Sequence, residues 1–142
     1  MPLEIIISEG LVTETAAQEM HAQIGGLFLE LHGLRNNQFM LPNVIGEVTV
    51  VPQGRSFAGL TAKNIAIVEM RVPGITFGER AQKDEFVAGA TAIVEKATGG
   101  KLPKQNIWVN AVFAVDGIWG IGGKNYSNAE LGEALSKNVA AA

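Results

Sequence analysis

The sequence predicts an α/β chain. Two β-α-β repeats would form a four-stranded mixed sheet with both helices on one face. Two observations lead there. First, residues recur at one constant offset without gaps: Thr13 aligns with Thr76, Gly26 with Gly89, Asn43 with Asn106, Gly54 with Gly117 and Gly59 with Gly122. The apolar layout follows the same offset, Ile5 meeting Val68, Ile24 meeting Val87 and Val44 meeting Ile107, and a repeat of this kind decides the architecture before any single element does. Second, the strands carry apolar residues at consecutive positions, as in Ile5-Ile6-Ile7 and Ala111-Val112-Phe113-Ala114, a pattern of strands buried on both faces. Each β-α-β unit crosses over right-handed, so both helices fall on one side. The other side then needs a partner, and a closed symmetric oligomer is expected.

Taken in order, Leu3–Ser8 reads as a short apolar strand. Thr13 is the N-cap of a helix, on which Met20, Ile24, Leu27 and Leu31 recur at helical spacing, and Gly33 ends it. Gly33–Pro42 is a loop, either a lid or plain surface. Val44–Val51 is the second strand, stopped by Pro52-Gln53-Gly54. In the second copy Ile65–Arg71 is a strand, Thr76 again precedes a helix with Phe86, Ala90, Ile93 and Ala97 inward, and Gly99-Gly100 closes it. Ile107–Val115 is the last long strand. Ser127–Lys137 reads as a short helix that frays into Val139-Ala140-Ala141-Ala142.

The 142 residues fit one domain, and 47% apolar residues suffice for a core. A net charge of −3 without any basic run argues against a nucleic-acid partner. No apolar stretch reaches the roughly 18 residues of a membrane span. The absence of cysteine removes disulfide and thiolate chemistry. With no signal-peptide pattern at the start, a cytoplasmic protein is expected.

Pro2 directly follows Met1 and opens the first strand. Trimming of Met1 before this small residue would leave a secondary amine. A free α-amino group titrates at roughly 7.7–8.0, and burial or nearby cations would lower that further.

Pro2, the repeated strand-helix-strand unit and the segment Ile118-Trp119-Gly120-Ile121-Gly122-Gly123 together resemble the tautomerase superfamily. The chain is most similar to 4-oxalocrotonate tautomerase in a fused, two-module form. The resemblance covers about residues 2–123. It extends to Glu9-Gly10 before the first helix, and Asn106-Ile107-Trp108-Val109 resembles the dehalogenase and decarboxylase branches. It implies a single tautomerase/MIF-like domain over 1–142, of modules at about 2–60 and 64–123 with a short tail 124–142. It also implies a homotrimer, a catalytic amino-terminal proline in an apolar pocket, and no metal or organic cofactor. Ile65 holds the pseudo-equivalent position inside the chain, which leaves Pro2 as the single candidate base.

A pseudo-two-fold between the modules would set the first strands antiparallel and bring Arg71 near Pro2. A guanidinium there could hold a substrate carboxylate and depress the amine's pKa; otherwise Arg71 is a solvated strand end. Arg80 is a second candidate for the carboxylate. Trp119 is either a core or interface anchor or a wall that dries the Pro2 pocket. His32 is either a contact to the helix C-terminus or a substrate contact. His21 and His32 lie about 16 Å apart on one helix and cannot share a metal.

The chain also departs from the family pattern. Leu11 stands where the tautomerases carry a substrate-binding arginine, and Ile45 and Trp108 stand at the arginine position of the second strand. The carboxylate with which hydratase-type dehalogenases activate water falls at Phe113, so water addition is not expected. The reading is an isomerase in which Pro2 moves a proton on a small 2-oxo or enol carboxylic acid. Two alternatives stand beside it: a Pro2-dependent decarboxylase or dehalogenase-like lyase, and a trimeric binding protein without turnover.

Overall fold

A computed structural model describes residues 1–138; the fraying expected at Val139–Ala142 lies outside the described residues. The first copy runs β1 (Pro2–Ser8), α1 (Glu14–Leu31), β2 (Ile45–Val51) and a small hairpin of β3 (Phe57–Ala58) and β4 (Thr61–Ala62). The second runs β5 (Ala66–Pro73), α2 (Arg80–Ala97), β6 (Ile107–Ala114) and a hairpin of β7 (Trp119–Ile121) and β8 (Lys124–Tyr126), followed by α3 (Asn128–Lys137). The long strands form one mixed sheet in the order β2-β1-β5-β6. Strands β1 and β2 are parallel, as are β5 and β6, while β1 and β5 meet antiparallel.

The helix side of the sheet is the core. Leu3, Ile5 and Ile7 stand opposite Met70, Val68 and Ala66, all at zero exposure, every second residue of each strand facing inward. Against them pack Met20, Ile24 and Phe28 of α1 and Phe86, Ala90 and Val94 of α2. The helices approach closely at Gly89, where a Cβ would sit 2.6 Å from Leu27 Cδ2.

Thr13 caps α1, its side chain accepting from the Ala16 amide at 3.1 Å, and Gly33 leaves the helix with φ +65°. The second helix departs from the repeat. Its N-cap is Glu79, which forms a capping box with Gln82; Thr76 instead donates its amide to the Pro73 carbonyl at 3.0 Å in a turn. Chain direction then changes at Phe77, whose φ is +54°. That turn consumes the residues that would otherwise have begun the helix.

The glycines that align in the repeat adopt matching left-handed conformations: Gly54 and Gly117 at +79° and +85°, Gly59 and Gly122 both at +59°. Only glycine adopts such angles freely. Leu60, aligned with Gly123, takes φ +65° without that freedom.

The helix-free face corrects one expectation. Its strands are not apolar throughout. Ile6, Ile67 and Trp108 form one cross-strand row, but the adjacent row is Glu47, Glu4, Glu69 and Asn110 in register. The short helix expected over Ser127–Lys137 is present as α3. Strand β8 pairs with β7, and α3 buries Leu131 to 1% exposure. Ser127 caps α3, with Glu130 completing the capping box.

Candidate functional site around Pro2 and Arg71

Pro2 opens β1 in parallel register with Ile45. Across β5, the pair Leu3–Met70 sets the next step outward, so Pro2 faces Arg71. Because Leu3 and Met70 point into the core, Pro2 and Arg71 share the helix-free face. Both occupy the end of the sheet where β1 begins and β5 and β6 finish.

Arg71 is not a free cation there. Its Nη2 donates to Glu4 Oε2 at 3.0 Å and its Nε to Glu69 Oε1 at 3.2 Å. The side chain stays about half exposed. Sequence reasoning found Arg71 but missed both glutamates. Their roles depend on strand register, and the period-two placement of Glu4 beside Pro2 was the available signal.

Met1 continues β1 beyond Pro2. Its carbonyl accepts from the Ile45 amide at 3.2 Å, its amine donates to the Asn43 carbonyl, and its side chain joins the core at 5% exposure. Burial pushes this amine down from 8.0 to about 6. With Met1 present the Pro2 nitrogen is part of a peptide bond and has no basic lone pair.

The same end of the sheet is roofed by α3. The Asn128 amide donates to Asp116 Oδ1 at 2.6 Å, and a Cβ on Gly74 would meet Asn128 Nδ2 at 3.5 Å, which sets the start of α3 beside the ends of β5 and β6. Its far end meets the loop after α1. Asn37 Nδ2 donates to the Leu135 carbonyl at 2.8 Å, and the Gln38 amide to the Asn138 carbonyl at 3.1 Å. The loop 33–42 is therefore tethered to α3. Trp119 packs half-buried against the core, and its Nε1 is buried with no acceptor among the described residues.

The remaining sequence candidates sit in the helix layer. His32 Nδ1 donates to the Phe28 carbonyl at 2.8 Å, and His32 Nε2 accepts from the Phe77 amide at 3.2 Å. That pair of bonds places the ring hydrogen on Nδ1 and leaves Nε2 as the acceptor. The ring also packs edge-on to Phe77 with centroids 4.9 Å apart. His32 thus joins the end of α1 to the turn before α2, with both nitrogens occupied. Arg80 opens α2, with a largely solvent-exposed side chain paired to Asp84 at 2.8 Å. Neither residue is drawn into the Pro2–Arg71–Glu4 group.

A groove of about 550 Å³ runs elsewhere, between α1 and β2, lined by Val12, Ala17, His21, Val48 and Val50. It includes neither Pro2 nor Arg71. It is the open flank of an edge strand, where Gly46 lets the strand approach His21.

Among the described residues no helix is long and apolar enough to cross a membrane. No protein-family model matches the chain, and no curated protein matches it in sequence. Solved structures do match it in shape. A wild-type fused 4-OT symmetric trimer superposes with TM-score 0.75 at 13% identity, covering 93% of this chain and 99% of that one. Pt0534 inactivated by 2-oxo-3-pentynoate gives 0.74 at 15% identity, with the same coverage. N1, a member of the cis-3-chloroacrylic acid dehalogenase family, gives 0.69 at 14% identity, covering 96% and 99%. The chain therefore has the fold shared by the fused 4-OT proteins and the cis-CaaD family, the fold that the sequence resemblance implies.

Proposed function

We propose that the protein is a cofactor-independent isomerase in which Pro2, freed by removal of Met1, moves a proton on a small 2-oxo or enol carboxylic acid. The observation that carries this reading is the position of Arg71 directly across β1–β5 from Pro2. A secondary amine and a guanidinium at one sheet end supply a base and an anion anchor within one substrate's reach. As a base, Pro2 takes a proton from the enol oxygen or from carbon; as the conjugate acid, it returns that proton at another carbon. Such a pair works best with a pKa near the working pH. The Arg71 cation favours the neutral amine, and its uncommitted N–H groups receive the substrate carboxylate. In this reading Trp119, packed half-buried against the core, is the wall that keeps the site dry. The fused 4-OT structures named as trimers support a homotrimer for this chain as well.

Two other readings each have one observation in their favour. A Pro2-dependent decarboxylase or dehalogenase-like lyase is favoured by the shared fold with a cis-CaaD family member. A binding protein without turnover is favoured by Leu11, Ile45 and Trp108, which stand where the resemblance leads one to expect substrate-binding arginines.

The deciding experiment is phenylenolpyruvate ketonisation by wild type and Pro2→Ala, on protein whose mass shows Met1 removed. The reading expects turnover that falls by about 10²–10⁴ in the variant. Equal rates for the two proteins overturn it. Loss of CO2 from a β-keto acid, with the same dependence on Pro2, moves the assignment to the decarboxylase.

A further inference from the structure

Arg71 is the one basic residue in the four long strands, which also carry Glu4, Glu47 and Glu69. All three glutamates belong to the row next to Pro2 on the helix-free face, each in register with its neighbour. Two of them already hold Arg71. We infer that the Pro2 site selects substrates carrying a single negative charge and turns away dicarboxylates. This rests on the proton-transfer reading above and specifies its substrate class.

The geometry of the guanidinium sets the limit. Arginine offers five N–H donors in a rigid fork. The Nε edge is committed to Glu69 and one Nη2 hydrogen to Glu4. Among the described residues the Nη1 end has no partner, and it is wide enough for one carboxylate. The charge balance points the same way. Arg71 with Glu4 and Glu69 sums to one negative charge before any substrate arrives, and Glu47 adds another. One substrate carboxylate on the Nη1 end gains a charge-assisted pair. A second carboxylate, several ångströms away, finds no further cation on the sheet and lies within a Debye length of three glutamates. Glu4, two residues along the strand from Pro2, is only about 7 Å from it.

The test compares a monoanion and a dianion of like chemistry, phenylenolpyruvate and 2-hydroxymuconate, on Met1-free wild type and Glu69→Gln. Wild type is expected to favour the monoanion at least tenfold in kcat/KM. Glu69→Gln should raise the dianion-to-monoanion ratio of kcat/KM about tenfold, whatever it does to either rate alone, and about 0.5 M salt should narrow the gap in wild type similarly. Equal use of the two substrates, or a ratio unmoved by Glu69→Gln, overturns the inference. Retention of either activity in Pro2→Ala overturns the proton-transfer reading instead.

If neither substrate turns over, the Arg71 Nε–H signal in a nitrogen-15 NMR titration still decides the charge question. Pyruvate should shift it at concentrations where oxaloacetate does not. Equal shifts from both, or a shift from oxaloacetate alone, overturn the inference.

Discussion

Asn37 joins the two halves of the chain through Leu135. Its Nδ2 donates to the Leu135 carbonyl at 2.8 Å, while its Oδ1 accepts the amides of Phe39 and Met40. A residue 4% exposed thus orders the loop after α1 and docks α3 on it. Asn37→Ala leaves the Phe39 and Met40 amides without their acceptor and takes one of two donors from the Leu135 carbonyl, which keeps the Asn138 amide; a buried amide is costly to leave unpaired. The expected loss is about 2–3 kcal/mol, read as a lower urea midpoint with an unchanged slope.

His32 is expected to matter for folding more than for chemistry. Removing its ring leaves the Phe77 amide without its acceptor and opens space between Phe28 and Phe77. His32→Ala should cost about 2–4 kcal/mol. Per folded molecule, kcat should stay within about twofold. A raised KM at unchanged stability would return His32 to the substrate site.

Trp119 gives the opposite pattern. Its buried N–H makes no hydrogen bond among the described residues, so Trp119→Phe removes a donor that none of them uses. Stability should change by less than about 1 kcal/mol. KM for phenylenolpyruvate should rise several-fold if the ring and its N–H meet substrate. An unchanged KM would make Trp119 packing alone.

Protein that retains Met1 should carry a pH signature. Burial lowers the Met1 amine to about 6 from the 8.0 expected for the unfolded chain. Between those values the unfolded chain binds more protons than the folded one, so stability rises with pH from about 6 to 8 and is lost as pH falls. Urea midpoints of a mass-verified, Met1-retaining sample should show that slope. N-terminal acetylation should abolish it.

Much of this fold is legible in the sequence because the repeat and the apolar periodicities are local signals. Thr13, Met20, Ile24 and the closing Gly33 mark α1 without knowledge of any partner. The start of α2 is less legible, since Thr76 has the same capping chemistry whether it begins a helix or closes a turn, and the choice falls to the left-handed Phe77. The glutamate row is hidden for a related reason. Glu4, Glu47 and Glu69 are scattered along the chain and become neighbours only through strand register. Pro2 and Arg71 can be singled out by residue type, whereas the ion pairs that occupy Arg71 are visible only in three dimensions. The tether from Asn37 to α3 spans most of the chain and leaves no local trace.

The order β2-β1-β5-β6 leaves the outer sides of β2 and β6 without a strand neighbour among the described residues. Each outer side is a row of amide and carbonyl groups ready to accept another strand. Contacts between unlike surfaces either close into a ring or run on as a filament, depending on the rotation between copies. In the proposed homotrimer the angle between neighbouring copies would therefore be a solubility determinant. A substitution that shifts that angle by a few degrees, with every protomer still folded, would turn a discrete particle into a growing fibre.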